Sequence, residues 1–186
     1  HTHLMSFALL VSCDQNEKTL FQLRSTSETG VTFTNTITES DSFNILVKEF
    51  VYNGGGVAAG DLNGDGLEDL FFTGNQVENT LYLNRGDLKF EEVTTETKIT
   101  KADVRQWSSG INILDINLDG KLDIYVCYTL ASDAQLRKNL LFINQGNDEN
   151  GIPQFKDEAE AYGLASPAFS NQIYFFDFDK DQDLDA

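Results

Sequence analysis

The chain of 186 residues predicts an all-β fold, a partial β-propeller of four-stranded antiparallel blades with an acidic loop between strands 1 and 2 of each blade. Two observations predict it. The loop Asp61-Leu-Asn63-Gly-Asp65-Gly66-Leu-Glu-Asp69 recurs as Asp115-Ile-Asn117-Leu-Asp119-Gly120-Lys-Leu-Asp123 and as Asp177-Phe-Asp179-Lys-Asp181-Gln182-Asp183-Leu-Asp185, with starts 54 and then 62 residues apart. The segments around the loops recur with them. A period of roughly fifty residues holding several short β-type runs is the pattern of propeller blades.

Strand 1 of each blade is read from Asn53-Gly-Gly-Gly-Val-Ala-Ala-Gly-Asp61, which aligns with Trp107-Ser-Ser-Gly-Ile-Asn-Ile-Leu-Asp115 and with Phe169-Ser-Asn-Gln-Ile-Tyr-Phe-Phe-Asp177. Strand 2 follows the loop as Leu70-Phe-Phe-Thr73 and Ile124-Tyr-Val-Cys-Tyr-Thr129, which are aromatic and β-branched. Strand 3 is the pair Asn79-Thr-Leu-Tyr-Leu-Asn84-Arg-Gly86 and Asn139-Leu-Leu-Phe-Ile-Asn144-Gln-Gly146. Strand 4 is Leu88-Lys-Phe-Glu-Glu-Val93 against Gln154-Phe-Lys-Asp-Glu158. Repeats therefore lie near 53–94 and 107–158, with an incomplete third at 169–186. Insertions at 131–138 and 147–151 account for the longer second spacing.

Each loop offers oxygen atoms at alternate positions, then a turn, then another carboxylate. A hard cation wanting six to eight oxygens suits that pattern, and calcium is the expected one. The candidate side-chain ligands are Asp61, Asn63, Asp65 and Asp69; Asp115, Asn117, Asp119 and Asp123; and Asp177, Asp179, Asp181 and Asp185. Leu67 supplies a backbone carbonyl, with Lys121 and Asp183 at the matching positions. Gly66 makes the sharp turn. A helix-loop-helix calcium hand closes on an acidic twelfth residue, but that position holds Phe72 in the first loop and Val126 in the second. The same absence argues against dockerin-like and thrombospondin-type repeats. The competing bland reading is an Asp/Gly turn without metal.

Val57-Ala-Ala-Gly-Asp61-Leu-Asn-Gly-Asp-Gly66 resembles the FG-GAP/VCBS repeat, the calcium-loop blade also found in integrin α-subunit propellers. Thr32-Phe-Thr-Asn35 through Tyr52-Asn-Gly-Gly-Gly56, followed by these blades, is similar to the start of bacterial proteins of the ASPIC/UnbV, cartilage acidic protein-like group. The resemblance implies that Asp61, Asn63, Asp65, Asp69 and their counterparts bind calcium on the strand 1–2 connection. Gln182 departs from it, standing where the pattern has Gly. A non-Gly residue at positive φ costs about 1–2 kcal/mol, so the third loop is expected to be the weakest.

The formal net charge is −17, and eleven of the thirty acidic residues are the loop aspartates. Such a chain repels nucleic acid, and no Lys/Arg run offers it a footing. With 40% hydrophobic residues the chain can build a core. Two full blades and part of a third fall short of the roughly four to eight of a closed propeller, so an N-terminal fragment whose partners include downstream blades of the same chain is expected.

Residues 4–11 form an apolar run too short to span a bilayer. Leu10-Val-Ser-Cys13 and the polar Asp14-Gln-Asn-Glu-Lys18 resemble a bacterial lipobox, which makes residues 1–13 a lipoprotein signal segment, Cys13 the lipidated residue and 14–27 a tether. The propeller then occupies 28–186. The address is extracytoplasmic, on the outer membrane or cell surface, with the membrane touched only through the lipid. A basic n-region is missing; His1-Thr-His3 stands in its place. Cys127 lies in an apolar strand and reads as a buried small hydrophobe.

Catalysis has little to rest on. The two histidines, His1 and His3, precede the cleavage point, so His-based nucleophile systems and His-ligated zinc are excluded from the mature chain. Asn53-Gly-Gly-Gly56 lacks the Lys-Ser/Thr of a phosphate loop. Trp107 could form a ligand platform but reads first as packing. The chain is expected to be a non-enzymatic module for binding or adhesion to a protein or glycan on the cell exterior. The alternative is the N-terminal propeller of a polysaccharide-acting enzyme whose catalytic part lies elsewhere.

Overall fold

A computed structural model describes residues 20–101, 103, 105–181, 184 and 185. The apolar run 4–11, the lipobox with Cys13, and Gln182 and Asp183 of the third loop lie outside the described residues. Strands β1 (Val57–Gly60), β2 (Asp69–Phe72), β3 (Thr80–Asn84) and β4 (Phe90–Glu92) form one antiparallel sheet in the order β1-β2-β3-β4. Strands β5 (Trp107–Leu114), β6 (Asp123–Thr129), β7 (Leu140–Asn147) and β8 (Pro153–Asp157) repeat it as β5-β6-β7-β8. The expected all-β architecture of four-stranded antiparallel blades is what the chain forms.

Register follows from the repeat. Gly60 pairs with Asp69 across the first loop, and Leu114 pairs with Asp123 across the second. Short helical pieces fill the connections: α1 (Thr26–Thr29), α2 (Thr94–Thr97) and a 3₁₀ turn at Ala134–Arg137 inside the expected insertion.

The blades stack face to face. Phe71, Leu81, Leu83, Val93 and Ile99 of blade 1 form one buried cluster with Ile111, Ile124, Val126, Phe142 and Phe155 of blade 2. Strand alternation sends these side chains to the shared face. Close approach of β1 to β5 requires glycine: a Cβ on Gly60 would stand 2.9 Å from Ile113 Cγ2, and one on Gly56 would stand 2.8 Å from Ile111 Cγ2. Polar groups also cross the seam, Asn79 and Lys101 among them. Asn79 Nδ2 donates to the buried Tyr128 phenol at 3.3 Å. Lys101 Nζ donates to the carbonyls of Gly74 (2.7 Å), Asn75 (2.9 Å) and Gln106 (3.0 Å), so it ties the β2–β3 connection to the entry of blade 2.

The far face of blade 2 buries Tyr125, Cys127, Leu141 and Ile143 under Leu164, Ala165, Ile173 and Phe175. Burial pushes the Cys127 thiol up to about 12, which leaves it an inert hydrophobe. Trp107 packs with Val51, Leu130 and Phe43 as part of a small core, the packing role read from its sequence. The third repeat is less regular. Ser170 O and Asn171 O accept from Ser109 Oγ and Gly110 N of β5, and one isolated bridge joins Phe176 to Asp185. Tyr174 and Phe178 remain about three-quarters exposed, at 73% and 75%. Ile111, by contrast, is covered by blade 1.

Residues 31–38 join no strand ladder among the described residues. Phe33 stacks on Phe72 at 4.9 Å, and the amide of Asn35 bonds Asn75 Oδ1 at 2.6 Å, so this segment lines the outer face of blade 1.

Candidate metal-binding loops

The three loops share one hydrogen-bond scheme. In the first, Asp61 accepts from the N–H groups of Gly64, Asp65 and Gly66 at 2.8–3.0 Å, and Asn63 Oδ1 accepts from Asp65 N at 3.1 Å. Asp69 Oδ2 reaches back to Leu62 N at 2.9 Å. In the second, Asp115 accepts from Asp119 N and Gly120 N, Asn117 Oδ1 from Asp119 N, and Asp123 Oδ2 from Ile116 N. In the third, Asp181 N donates to Asp177 Oδ1 and Asp179 Oδ1, and Phe178 N donates to Asp185 Oδ2. The chain folds locally this way because Asp and Asn oxygens satisfy the N–H groups of their own turn.

The turn has two left-handed positions, and only one was read from the sequence. Gly66 and Gly120 take φ of 86° and 84°. Two residues earlier the backbone is left-handed as well, at Gly64 (74°), Leu118 (57°) and Lys180 (66°). Loop 1 meets the requirement with glycine at both places, whereas Leu118 and Lys180 carry about 1–2 kcal/mol of strain each.

The closing carboxylates are set apart from the rest. Asp69 and Asp123 are fully buried, whereas Asp65 and Asp119 stand toward solvent. Burial raises Asp69 to about 6, against the N–H donors of Asn84 and Leu62 that pull it down and with the Asp65 and Asp61 carboxylates pushing it further. Asp123 is raised for the same first cause.

The donor set is oxygen alone, which fits a hard cation and gives a soft metal no ligand. Loop 2 already holds a protein cation against this set: Lys121 Nζ lies 2.5 Å from Asp119 Oδ2 and holds that carboxyl below its usual range. Loop 1 has Leu67 at that place. In loop 3, one oxygen from each of Asp177, Asp179 and Asp185 falls within 4.8 Å of the others. The loop ranked last from its sequence is thus one whose carboxylates converge, while Asp69 and Asp123 are turned toward strand N–H donors. Neither the closing role of Asn84 and Asn144 nor the left-handed Leu118 was anticipated, although both asparagines recur at matched places in the repeat.

Residues 61–126 match the FG-GAP-like repeat family. Cartilage acidic protein 1 of Xenopus tropicalis is 30% identical over 137 residues, which is 73% of this chain and 19% of that protein. Cartilage acidic protein 1 of Homo sapiens is 29% identical over 140 residues, 72% of this chain and 19% of the relative. The chain thus carries an FG-GAP-like repeat and distant homology to cartilage acidic protein 1, and it spans 19% of the length of these curated relatives. Repeat and fold agree on propeller-like blades.

Proposed function

We propose that this chain, bearing an FG-GAP-like repeat, is a calcium-stabilised binding module that acts outside the cytoplasm on a protein or glycan partner. The observation that supports it best is the scheme shared by the three loops, in which an oxygen-only donor set is bent into a turn by the loop's own N–H groups. Asp61, Asn63, Asp65 and Asp69 with the Leu67 carbonyl would hold the cation in loop 1. Asp115, Asn117, Asp119, Asp123 and the Lys121 carbonyl would do so in loop 2. Loop 3 would use Asp177, Asp179, Asp181 and Asp185, with the Asp183 carbonyl. A bound calcium supplies the positive charge that these carboxylates cannot provide for one another.

The loops sit at one end of the sheets, where Gly60 meets Asp69 and Leu114 meets Asp123. The exposed residues 132–135 of the β6–β7 connection stand at the other end, beside Trp107, and would offer a partner a surface. Lipidation at Cys13 would tether the module to a membrane surface; in a bacterial host with a basic n-region restored, labelled palmitate should follow the protein and vanish in Cys13→Ser.

Thermal unfolding in EDTA, in calcium and in magnesium tests the metal reading. Calcium at ten times its dissociation constant stabilises by about 1.4 kcal/mol per site, so the midpoint should rise with calcium and much less with magnesium. A midpoint indifferent to calcium contradicts the reading.

A further inference from the structure

We propose that the first cation site is completed across the blade interface, with Asn144 and Asn147 of blade 2 as positioning residues for the loop of blade 1. This inference rests on the calcium reading above. Asn147 Nδ2 donates to Asn63 O at 2.7 Å, and Asn144 Nδ2 donates to Leu62 O at 2.8 Å. Two successive carbonyls of loop 1 are therefore held by the neighbouring blade. They belong to the peptides on either side of the Asn63 Cα, and the second of those peptides carries the Gly64 N–H that bonds Asp61 Oδ1 at 2.8 Å. Fixing both peptides fixes where Asn63 and Asp61 present their oxygens.

Strand geometry explains how two residues three apart reach the same loop. In a regular strand they would face opposite sides. The β7–β8 pairing shifts register between Asn144 and Asn147, with Gly146 at φ 90°, and such a bulge brings the two side chains to one side.

Asn144 also belongs to the second loop. Its N–H donates to Asp123 Oδ1 at 2.8 Å, and its amide nitrogen reaches Leu122 O at 3.1 Å. One buried side chain thus touches the frames of both loops. Asn84, its counterpart in blade 1, repeats the bonds to its own loop, with Asn84 N on Asp69 Oδ1 and Nδ2 on Glu68 O. The counterpart of Asn147 is Asp87, which has no amide to donate. Loop 1 is therefore gripped from outside, and its occupancy is coupled to that of loop 2 through Asn144.

The test is calorimetric calcium titration of the folded chain, with the two sites assigned by Asp65→Ala and Asp119→Ala. Asn147→Ala should weaken the loop 1 site by roughly 5-fold or more, with a smaller loss at loop 2 through the coupling and the unfolding midpoint in EDTA unchanged. Asp119→Ala should weaken loop 1 as well, since coupling is reciprocal. Asn144→Ala should weaken both sites; if it does not fold, the Asn147 and Asp119 variants still decide. Loop 1 affinity unchanged in Asn147→Ala, with calcium still bound by the parent chain, overturns this inference alone. So does an equal loss at both sites accompanied by a lower EDTA midpoint, because that is the signature of a purely structural role. A parent chain that takes up no calcium overturns the metal reading and this inference with it.

Discussion

Asn84 N–H donates to Asp69 Oδ1 at 2.9 Å, so the closing carboxylate of the first loop is bound to the strand that follows it as well as to the loop it closes. Asp123 and Asn144 repeat the relationship at 2.8 Å. Burial makes such a carboxylate take up a proton more readily than an exposed one, and a cation beside it would keep it ionised.

That contrast predicts opposite responses to pH. Asp69 is raised to about 6 in the fold from an ordinary value of 3.8, so the native state binds the extra proton between those values. In EDTA the fold should gain stability as pH falls from 7 through 6 toward 4. In calcium the trend should reverse, because the proton and the cation compete for Asp69. Unfolding midpoints at pH 5 and pH 7 in both buffers check this, and Asp69→Asn should flatten much of the difference.

Strain at the fourth position of the loop gives a second test. Leu118 sits at φ 57° with its side chain 73% exposed, so no packing rewards the residue for its left-handed backbone. Leu118→Gly should stabilise the chain by about 1 kcal/mol in urea unfolding. Gly64→Ala should destabilise by about 1 kcal/mol, although a Cβ there meets nothing within 4 Å. The cost would be the backbone's alone.

Lys101 provides a third. Its ammonium is buried among three carbonyls, and burial lowers it to about 8 with Glu78 opposing. Lys101→Met keeps the length of the side chain but orphans the carbonyls of Gly74, Asn75 and Gln106. We expect a loss of about 2–4 kcal/mol by urea unfolding, with calcium affinity at the loops unchanged, since Lys101 lies at the opposite end of the blades.

Much of this architecture was legible in the sequence because the repeats are local. Strand, loop and strand recur in the same order, and alternation within Leu70-Phe-Phe or Ile124-Tyr-Val fixes which side chains enter the seam. The segment at 31–38 was harder to read: it alternates like a strand, with Phe33 and Asn35 turned toward blade 1, yet its partners are side chains such as Tyr82 and Gln76 rather than a ladder. Long-range contacts were also hidden. Asn144 and Asn147 lie within β7, and only the bulge and the stacking of blades carry their amides to residues 62 and 63, more than eighty positions away. The strain at Leu118 escaped notice because Gly64, which marks the left-handed position, is replaced by larger residues in the other two loops.

Direct calorimetric titration at pH 7 tests whether the acidic loops hold calcium, without reference to stability or partners. The expected result is saturable binding with dissociation constants of about 10⁻⁴ to 10⁻³ M, one site lost in Asp65→Ala, another lost in Asp119→Ala, and little response to magnesium. A chain that takes up no calcium at concentrations up to about 10 mM, an order of magnitude above that range, would contradict it and leave the three loops as Asp/Gly turns.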